Sequence, residues 1–289
     1  MPKWFYETLF PSVKLGLSVR RVLYTGRSSF QKIQVLQTEQ FGRMLVLDGV
    51  IQTTEKDEWI YHEMLTHVSL LSHPDPKRVL IIGAGDGGIL REVLKHPIQE
   101  AVLVEIDERI IELSKKYLSS ICQRAFDDPR AKILIQDGAK FIQQENRSFD
   151  VAIVDSPDPI GPGKVLFSAK FYQGLAQLLG QNGILVRQTG STILQPHEWE
   201  TNHKTVLEFF SNVSPFVAAI PTYIGGFFSL LFASNGVNPL SLDRTGVEER
   251  YHRLSLKTRY YNPDIHFASF SLPEYIRQRL PEHELSLRG

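Results

Sequence analysis

A single cysteine, Cys122, rules out an intrachain disulfide and suits a reducing cytosol. It follows the helical stretch Leu113 to Ile121, where it reads as a small apolar packing group and not as a nucleophile. Neither sign of charge is in excess. Lys plus Arg and Asp plus Glu number 32 each, so the basic field of a nucleic-acid binder is missing. No apolar run reaches membrane-spanning length, and Met1-Pro2-Lys3-Trp4-Phe5 lacks the apolar core of a signal peptide. The expectation is a soluble cytoplasmic protein with no nucleic-acid or membrane partner. Internal repeats and low-complexity tracts are absent as well. So are a Gly-x-Ser-x-Gly elbow and a phosphate loop ending in Gly-Lys-Ser/Thr. His62-Glu63-Met64-Leu65-Thr66-His67 resembles a zinc helix, but its histidines stand five residues apart and face different sides, whereas the zinc-helix motif needs a spacing of four. No metal is expected.

What is present falls into two textures. At 289 residues the chain can bury a substantial core in one or two domains. Up to about Thr54 it alternates as strands do, in Leu15–Val19, Ile33–Leu36 and Met44–Leu47, and Asp48-Gly49 is a hairpin signal. From Asp57 the period turns helical, with Trp59, Ile60, Met64, Leu65, Val68 and Leu71 recurring until Pro74 and Pro76 end it. We therefore divide the chain into a small antiparallel β domain, residues 1–56, and a second domain, 57–289. Strand runs then fall near Val79–Ile82, Ala101–Glu105, Lys132–Ile135, Val151–Asp155 and Ile184–Gln188, with helical patterns between them. Such alternation implies parallel βαβ units. Two late runs, Phe216–Ile220 and Phe227–Ala233, are too close for a crossover helix and must be antiparallel to each other. The expected fold is α/β, a Rossmann-like, methyltransferase-type seven-stranded sheet behind the small β domain.

Chemistry concentrates where those strands end. Gly83-Ala84-Gly85-Asp86-Gly87-Gly88 follows an apolar strand and opens a helix, as in nucleotide-binding α/β domains. The acid inside the loop opposes the usual anion preference of a helix start and favours a cationic group. Glu105 ends the next strand, about 20 residues on, where such folds hold ribose hydroxyls. An adenosine with a cationic tail fits this pair better than a dinucleotide. Asp137-Gly138 follows the third strand, and its simplest reading is a helix N-cap. Asp155 ends the fourth, opening Asp155-Ser156-Pro157-Asp158-Pro159-Ile160-Gly161-Pro162. Three prolines stiffen that loop, and two carboxylates three residues apart suggest an amine site. The alternative is that both acids cap loop backbone as Asx turns. The aromatic pairs Tyr260-Tyr261 and Phe227-Phe228 read as core or interface and not as ligand contacts. Ala84 interrupts the glycines of the loop, which costs little if its φ is negative.

The residues resemble the spermidine synthases, the polyamine aminopropyltransferases, and most of all the bacterial ones. The resemblance rests on Leu47–Gln52, Tyr61–Met64, the Gly83 loop, Asp155–Pro162, Ile220–Tyr223 and Tyr260–His266, in order along nearly the whole chain. It implies transfer of the aminopropyl group of decarboxylated S-adenosylmethionine to putrescine, giving spermidine and 5′-methylthioadenosine. By the same resemblance Asp155 is the catalytic base. Gln31, Asp86, Glu105, Asp137, Gly138 and Pro162 hold the nucleoside donor, Asp86 through its amine. The diamine site is implied at Tyr61, His62, Asp86, Asp155, Ser156, Pro157, Asp158 and Tyr223, with Gln188 a further contact. A homodimer or homotetramer assembled through the N-terminal domain is implied too. Departures are Ala84 and the stretch Tyr223-Ile224-Gly225-Gly226, where the family often has Tyr-Pro-Ser-Gly. The second leaves diamine length open among putrescine, cadaverine and agmatine.

The charges are consistent with that chemistry. Donor and diamine together bring four positive charges into one cleft, which is unfavourable without carboxylates to offset them. Asp86, Asp155 and Asp158 supply the offset, and Asp86 would repel the carboxylate of the ordinary methyl donor. Two other readings remain open: an S-adenosylmethionine-dependent methyltransferase of the same fold, and a non-catalytic polyamine-binding protein.

Overall fold

The structure, a computed structural model, describes residues 3–156 and 161–281. Five strands open the chain: β1 (Lys3–Tyr6), β2 (Gly16–Arg27), β3 (Lys32–Thr38), β4 (Arg43–Leu47) and β5 (Val50–Thr54). Each pairs antiparallel with the next, in the order β1-β2-β3-β4-β5. Between β4 and β5, Asp48 and Gly49 both take positive φ, +46° and +86°, the twist that a two-residue hairpin needs.

The second sheet follows a helix, α1 (Glu58–Ser72), and runs through β6 (Arg78–Gly83), α2 (Gly88–Val93), β7 (Glu100–Glu105), α3 (Glu108–Tyr117), β8 (Ala131–Ile135), β9 (Val151–Asp155), β10 (Ile184–Ser191), β11 (Asn212–Ala219) and β12 (Phe227–Ser234). Its order is β11-β12-β10-β9-β6-β7-β8, with β8, β7, β6, β9 and β10 parallel. Strand β12 runs antiparallel to both of its neighbours. The chain moves outward from β6 to β8, then returns to place β9 on the other side of β6. That reversal opens a crevice at the carboxyl ends of β6 and β9, where doubly wound sheets bind ligands.

One face of this sheet packs on α1 and α2 through Met64, Leu65, Val68, Ile81, Ile89, Val151 and Val186. The other buries Leu80, Val102, Ala152 and Leu185 under the helices Gly138–Gln144 and Ala169–Leu179. Helix α1 lies so deep that every residue except Trp59 is buried. It stops at Ser72 because His73, preceding Pro74, is forced into an extended conformation (ψ 135°). Its start is fixed from both sides. The Asp57 carboxylate accepts from the Thr54 hydroxyl at 2.5 Å and from the Thr222 amide and hydroxyl at 2.9 and 2.8 Å. One side chain thus joins β5, α1 and the β11–β12 connection.

The N-terminal sheet is docked by its apolar side. Ile33, Val35 and Leu45 pack against Ile110 and Leu113 of α3 and the following Leu118 and Ile121. Polar contacts reinforce the dock, since Asp107 Oδ2 accepts from Ser28 Oγ at 2.6 Å and from Gln31 Nε2 at 3.0 Å. Among the described residues, no helix is long and apolar enough to cross a membrane.

Candidate functional site

A cavity of about 340 Å³ lies over the carboxyl ends of β6, β7, β9 and β10, with the N-terminal sheet as its roof. The turn that starts it is sterically determined. Gly83 pairs in register with Asp155 on β9 and has φ +80°, and a side chain there would place Cβ 1.9 Å from the Asp155 carbonyl oxygen. No other residue type fits. Ala84, in contrast, differs from expectation: its φ is +58°, in the left-handed region, so its methyl is held under strain. The glycine-rich geometry has been kept here without the glycine.

The four strand-end acids all reach this cavity, as do Gln31, Tyr61, His62, Gly138, Ser156, Gln188 and Tyr223. Pro157 and Asp158 lie outside the described residues, and Pro162 belongs to the short helical turn Gly161–Phe167. Asp155 ends β9, and its Oδ1 accepts from the Tyr61 hydroxyl at 2.6 Å. Burial, then the charge of Asp86, push its carboxyl up to about 6, against the opposing hydrogen bond from Tyr61. Burial likewise raises Glu105 to about 7, although its Oε1 accepts from the Asp107 amide at 2.9 Å. Asp137 caps its helix, accepting from the Ala139 and Lys140 amides at 2.8 and 3.1 Å, while still lining the cavity. Cys122 is buried, and burial holds its thiol up at about 11, a neutral packing group.

Asp86 is not isolated. Its Oδ1 accepts from the Gly88 amide at 2.9 Å, so Asp86 itself is the anion at the start of α2. Its Oδ2 lies 3.2 Å from His62 Nε2, and His62 Nδ1 lies 2.6 Å from Glu58 Oε2. Burial alone would strip His62 of its proton, but Asp86 and Glu58 raise it to about 10. Glu58 in turn is gripped by Arg91, at 3.1 Å from Nη1 and 2.9 Å from Nη2. The charge balance read from sequence therefore omitted a buried cation beside the donor acid.

The far wall is aromatic. The rings of Tyr61 and Tyr223 meet at 5.5 Å, and Phe228 packs on both, at 6.1 and 4.8 Å. Phe228 thus lines the site, contrary to its assignment to core or interface, while Phe227 points outward and is 42% exposed. A strand's alternation separates two adjacent phenylalanines without saying which one turns inward. Tyr223 is held by donating to the Gln52 carbonyl at 2.6 Å. Gln188 donates to the Ser156 carbonyl at 2.8 Å, and its Oε1 has no partner among the described residues.

Glu7 was not anticipated. This buried carboxylate accepts from the Ile51 amide at 2.9 Å and lines the cavity from the N-terminal segment. Its partner lies 44 residues away, so no local spacing could have marked it.

Comparisons with known proteins bear on the family and the fold. Residues 58–241 match the spermine/spermidine synthase domain, and residues 3–55 match the spermidine synthase tetramerisation domain. A polyamine aminopropyltransferase of Pectobacterium carotovorum is 46% identical over 277 residues, 96% of each chain. One from Hamiltonella defensa is 45% identical over 278 residues, again 96% of each. Among solved structures, spermidine synthase in complex with the transition-state analogue AdoDATO superposes with a TM-score of 0.92 at 38% identity, covering 97% of this chain and 96% of that one. The Thermotoga maritima spermidine synthase gives 0.90 at 37%, with the same coverage. Fold, cavity and these matches along nearly the whole length lead to one conclusion: the chain belongs to the spermine/spermidine synthase family.

Proposed function

We propose that this cleft transfers the aminopropyl group of decarboxylated S-adenosylmethionine to putrescine, with Asp155 receiving the proton that the attacking amine must lose. Aminopropyl transfer is the activity of the family. The division of labour among the residues is our reading, and one observation carries it. An Asp with a raised carboxyl pKa, oriented by Tyr61, sits in the same cavity as the acids placed for a nucleoside with a cationic tail.

The chemistry follows. An alkylammonium has no lone pair, and its unperturbed pKa is near 10, taking lysine as the guide. Asp155 removes one proton, and its raised pKa makes it a stronger base than an ordinary carboxylate while leaving it ionised at neutral pH. The freed amine attacks the aminopropyl carbon beside sulfur. A C–N bond forms as the C–S bond breaks, the electron pair returns to sulfur, and neutral 5′-methylthioadenosine leaves. No anionic leaving group develops, so the reaction needs no metal. Orientation of the two substrates accounts for most of the acceleration.

Glu105 holds the ribose, Asp137 and Gly138 face the base, and Asp86 receives the aminopropyl ammonium. Gln31, just before β3, completes the nucleoside side. Tyr61, Tyr223 and Phe228 enclose the methylene chain of the diamine, and Glu7, Ser156 and Gln188 offer polar groups to its amines. Asp158 is assigned to the same site by family resemblance, as is Pro157. Residues 1–56 act as the oligomerisation domain and 57–289 as the catalytic domain. The edge strand supports this, because Trp4 and Tyr6 stack at 6.3 Å with more than half of each side exposed, a surface a second copy would cover. The assembly is a homodimer or homotetramer, and the protein works in the cytoplasm.

The test is product analysis. Purified protein given decarboxylated donor and putrescine should yield spermidine and methylthioadenosine in equal amounts. Methyl transfer from S-adenosylmethionine, with no aminopropyl product, would overturn the reading.

A further inference from the structure

His62 occupies an unusual position. Its imidazole is bracketed by two carboxylates, Glu58 at Nδ1 and Asp86 at Nε2, with side-chain exposures of only 2% for His62, 6% for Glu58 and 10% for Asp86. Neither carboxylate carries a proton at neutral pH, because each is held below the usual range: burial opposes this at both, but His62 and Arg91 together, with the Gly88 amide at Asp86, outweigh it. A carboxylate only accepts. Nδ1 therefore donates to Glu58, Nε2 stands in ion-pair contact with Asp86, and with a carboxylate on each side the ring in the empty cleft is an imidazolium. Arg91 fixes the arrangement from behind by holding both oxygens of Glu58, and it also pairs with Glu92 at 2.8 Å. The remaining groups that face His62 are Asp155 across the cleft and the hydroxyl-bearing ring of Tyr61, 5.7 Å away edge-on.

This creates a conflict with the proposed function, on which the present inference rests. If Asp86 receives the donor's ammonium, that ammonium arrives where a buried cation already stands. Two positive charges on one carboxylate, out of water, repel strongly.

We propose that His62 is a stand-in cation for the donor's tail: it neutralises Asp86 in the empty cleft and gives up its proton when the aminopropyl ammonium takes its place. The balance is simple. The Nε2–H bond breaks and the proton leaves to solvent. Nδ1 keeps its proton and its bond to Glu58. The ammonium, with three N–H donors, then donates to Asp86 Oδ2 and to the freed Nε2 lone pair. Asp86 keeps a cationic partner in both states. The device makes the cleft sense a cation and not merely a nucleoside. Methylthioadenosine, which has no ammonium, leaves His62 charged. The carboxylated methyl donor meets an imidazolium that its carboxylate stabilises in place, so its own ammonium gains less.

The experiment is a calorimetric titration of decarboxylated donor and of methylthioadenosine, in phosphate and in Tris, from pH 7 to 9. Comparing the two ligands cancels any proton exchange at Glu105, which both ribose groups would perturb alike. Asp155 is already ionised over this range. The expected result is release of up to one proton per donor bound and none with methylthioadenosine. The ratio of the two dissociation constants should then shift in favour of the donor by about tenfold per pH unit. In His62→Gln the amide cannot titrate, so donor binding should release no proton and the ratio should be flat with pH. Glu58→Gln should move the sloping region to lower pH. Binding of methylthioadenosine reports that each variant is folded. Donor binding tighter than methylthioadenosine but without proton release in the unaltered protein would overturn the proposal. So would release that persists in His62→Gln, since the proton would then come from the ligand. A donor that binds no better than methylthioadenosine, with Asp86→Asn making no difference, would instead overturn the assignment of Asp86 beneath it.

Discussion

The Tyr61 hydroxyl donates to Asp155 Oδ1 at 2.6 Å, which ties the buried helix α1 to the tip of β9. This hydrogen bond stabilises the ionised carboxylate, against the burial that raises its pKa. Removing it in Tyr61→Phe should raise the Asp155 pKa further. A base must be unprotonated to act, so the acidic limb of kcat/KM should move to higher pH. The loss should accordingly be larger at pH 6 than at pH 8. An unmoved limb with a uniform loss would mean that Tyr61 acts by packing alone.

Asp155→Asn preserves shape and removes the proton acceptor. Turnover should fall by about 10²–10⁴ from loss of the base, with a rise in diamine KM. Methylthioadenosine binding should persist. Stability should move the other way. The folded-state pKa of about 6 lies above the unfolded value, so ionised Asp155 destabilises the empty protein at neutral pH. The variant should melt higher than the parent at pH 7.5, and the gap should close as the pH falls through 6 and then below the ordinary carboxyl value of 3.8, where the parent's carboxyl is protonated in both states. Near-parental turnover at neutral pH would eliminate Asp155 as the base.

Donor selection can be separated from nucleoside binding. Asp86→Asn should weaken the decarboxylated donor by about 1.5–3 kcal/mol, the range for a charged hydrogen bond. Methylthioadenosine should be almost unaffected. Glu105→Gln should weaken both ligands alike, through the ribose. Equal losses in Asp86→Asn would remove its assignment to the amine.

Ala84 carries backbone strain that a glycine would relieve. With φ at +58°, Ala84→Gly should stabilise the fold by about 1 kcal/mol. Chemical denaturation should show a higher midpoint with an unchanged slope. A lower midpoint would indicate that the methyl's contacts in the cavity outweigh the strain.

Deleting residues before Thr54 tests the N-terminal sheet. Light scattering should show loss of the assembly. The structure adds a second consequence, because Gln31 and the Gln52 carbonyl that anchors Tyr223 would go too. Ile110, Leu113, Leu118 and Ile121 would also be uncovered. The shortened chain should therefore bind no methylthioadenosine and be prone to aggregate. A soluble, assembled, nucleoside-binding product would place the interface on the second sheet.

Much of the architecture is written locally. Val79–Ile82, Ala101–Glu105 and Val151–Asp155 are apolar runs too short for helices, and each falls within an observed strand, β6, β7 or β9. Asp48-Gly49 turns as its dipeptide chemistry demands, and Asp137 caps its helix as its position before Gly138 suggests. A strand that is buried on both faces has no choice but to be apolar throughout, and an acid at its carboxyl end has no core to enter. Strand-end acids are therefore visible from sequence, and so is their common edge once the strands are parallel.

Other features arise only when distant segments meet. Asp86 lies 24 positions from His62 in the chain, and the contact between them exists because α1 packs across α2. Glu7 enters the cavity because β5 presents the Ile51 amide to it, and Phe228 turns inward because the β12 register sets it against Ser191. The need for glycine at position 83 follows from the closeness of β6 and β9 there. The sequence by itself determined which runs form strands and helices, which acids end a strand and which sign of charge gathers at the sheet's edge, because those depend on period and nearest neighbours. Only the tertiary structure decided which charges touch, which are neutralised and which backbone is strained, because those depend on the order of strands and the docking of elements far apart in the chain.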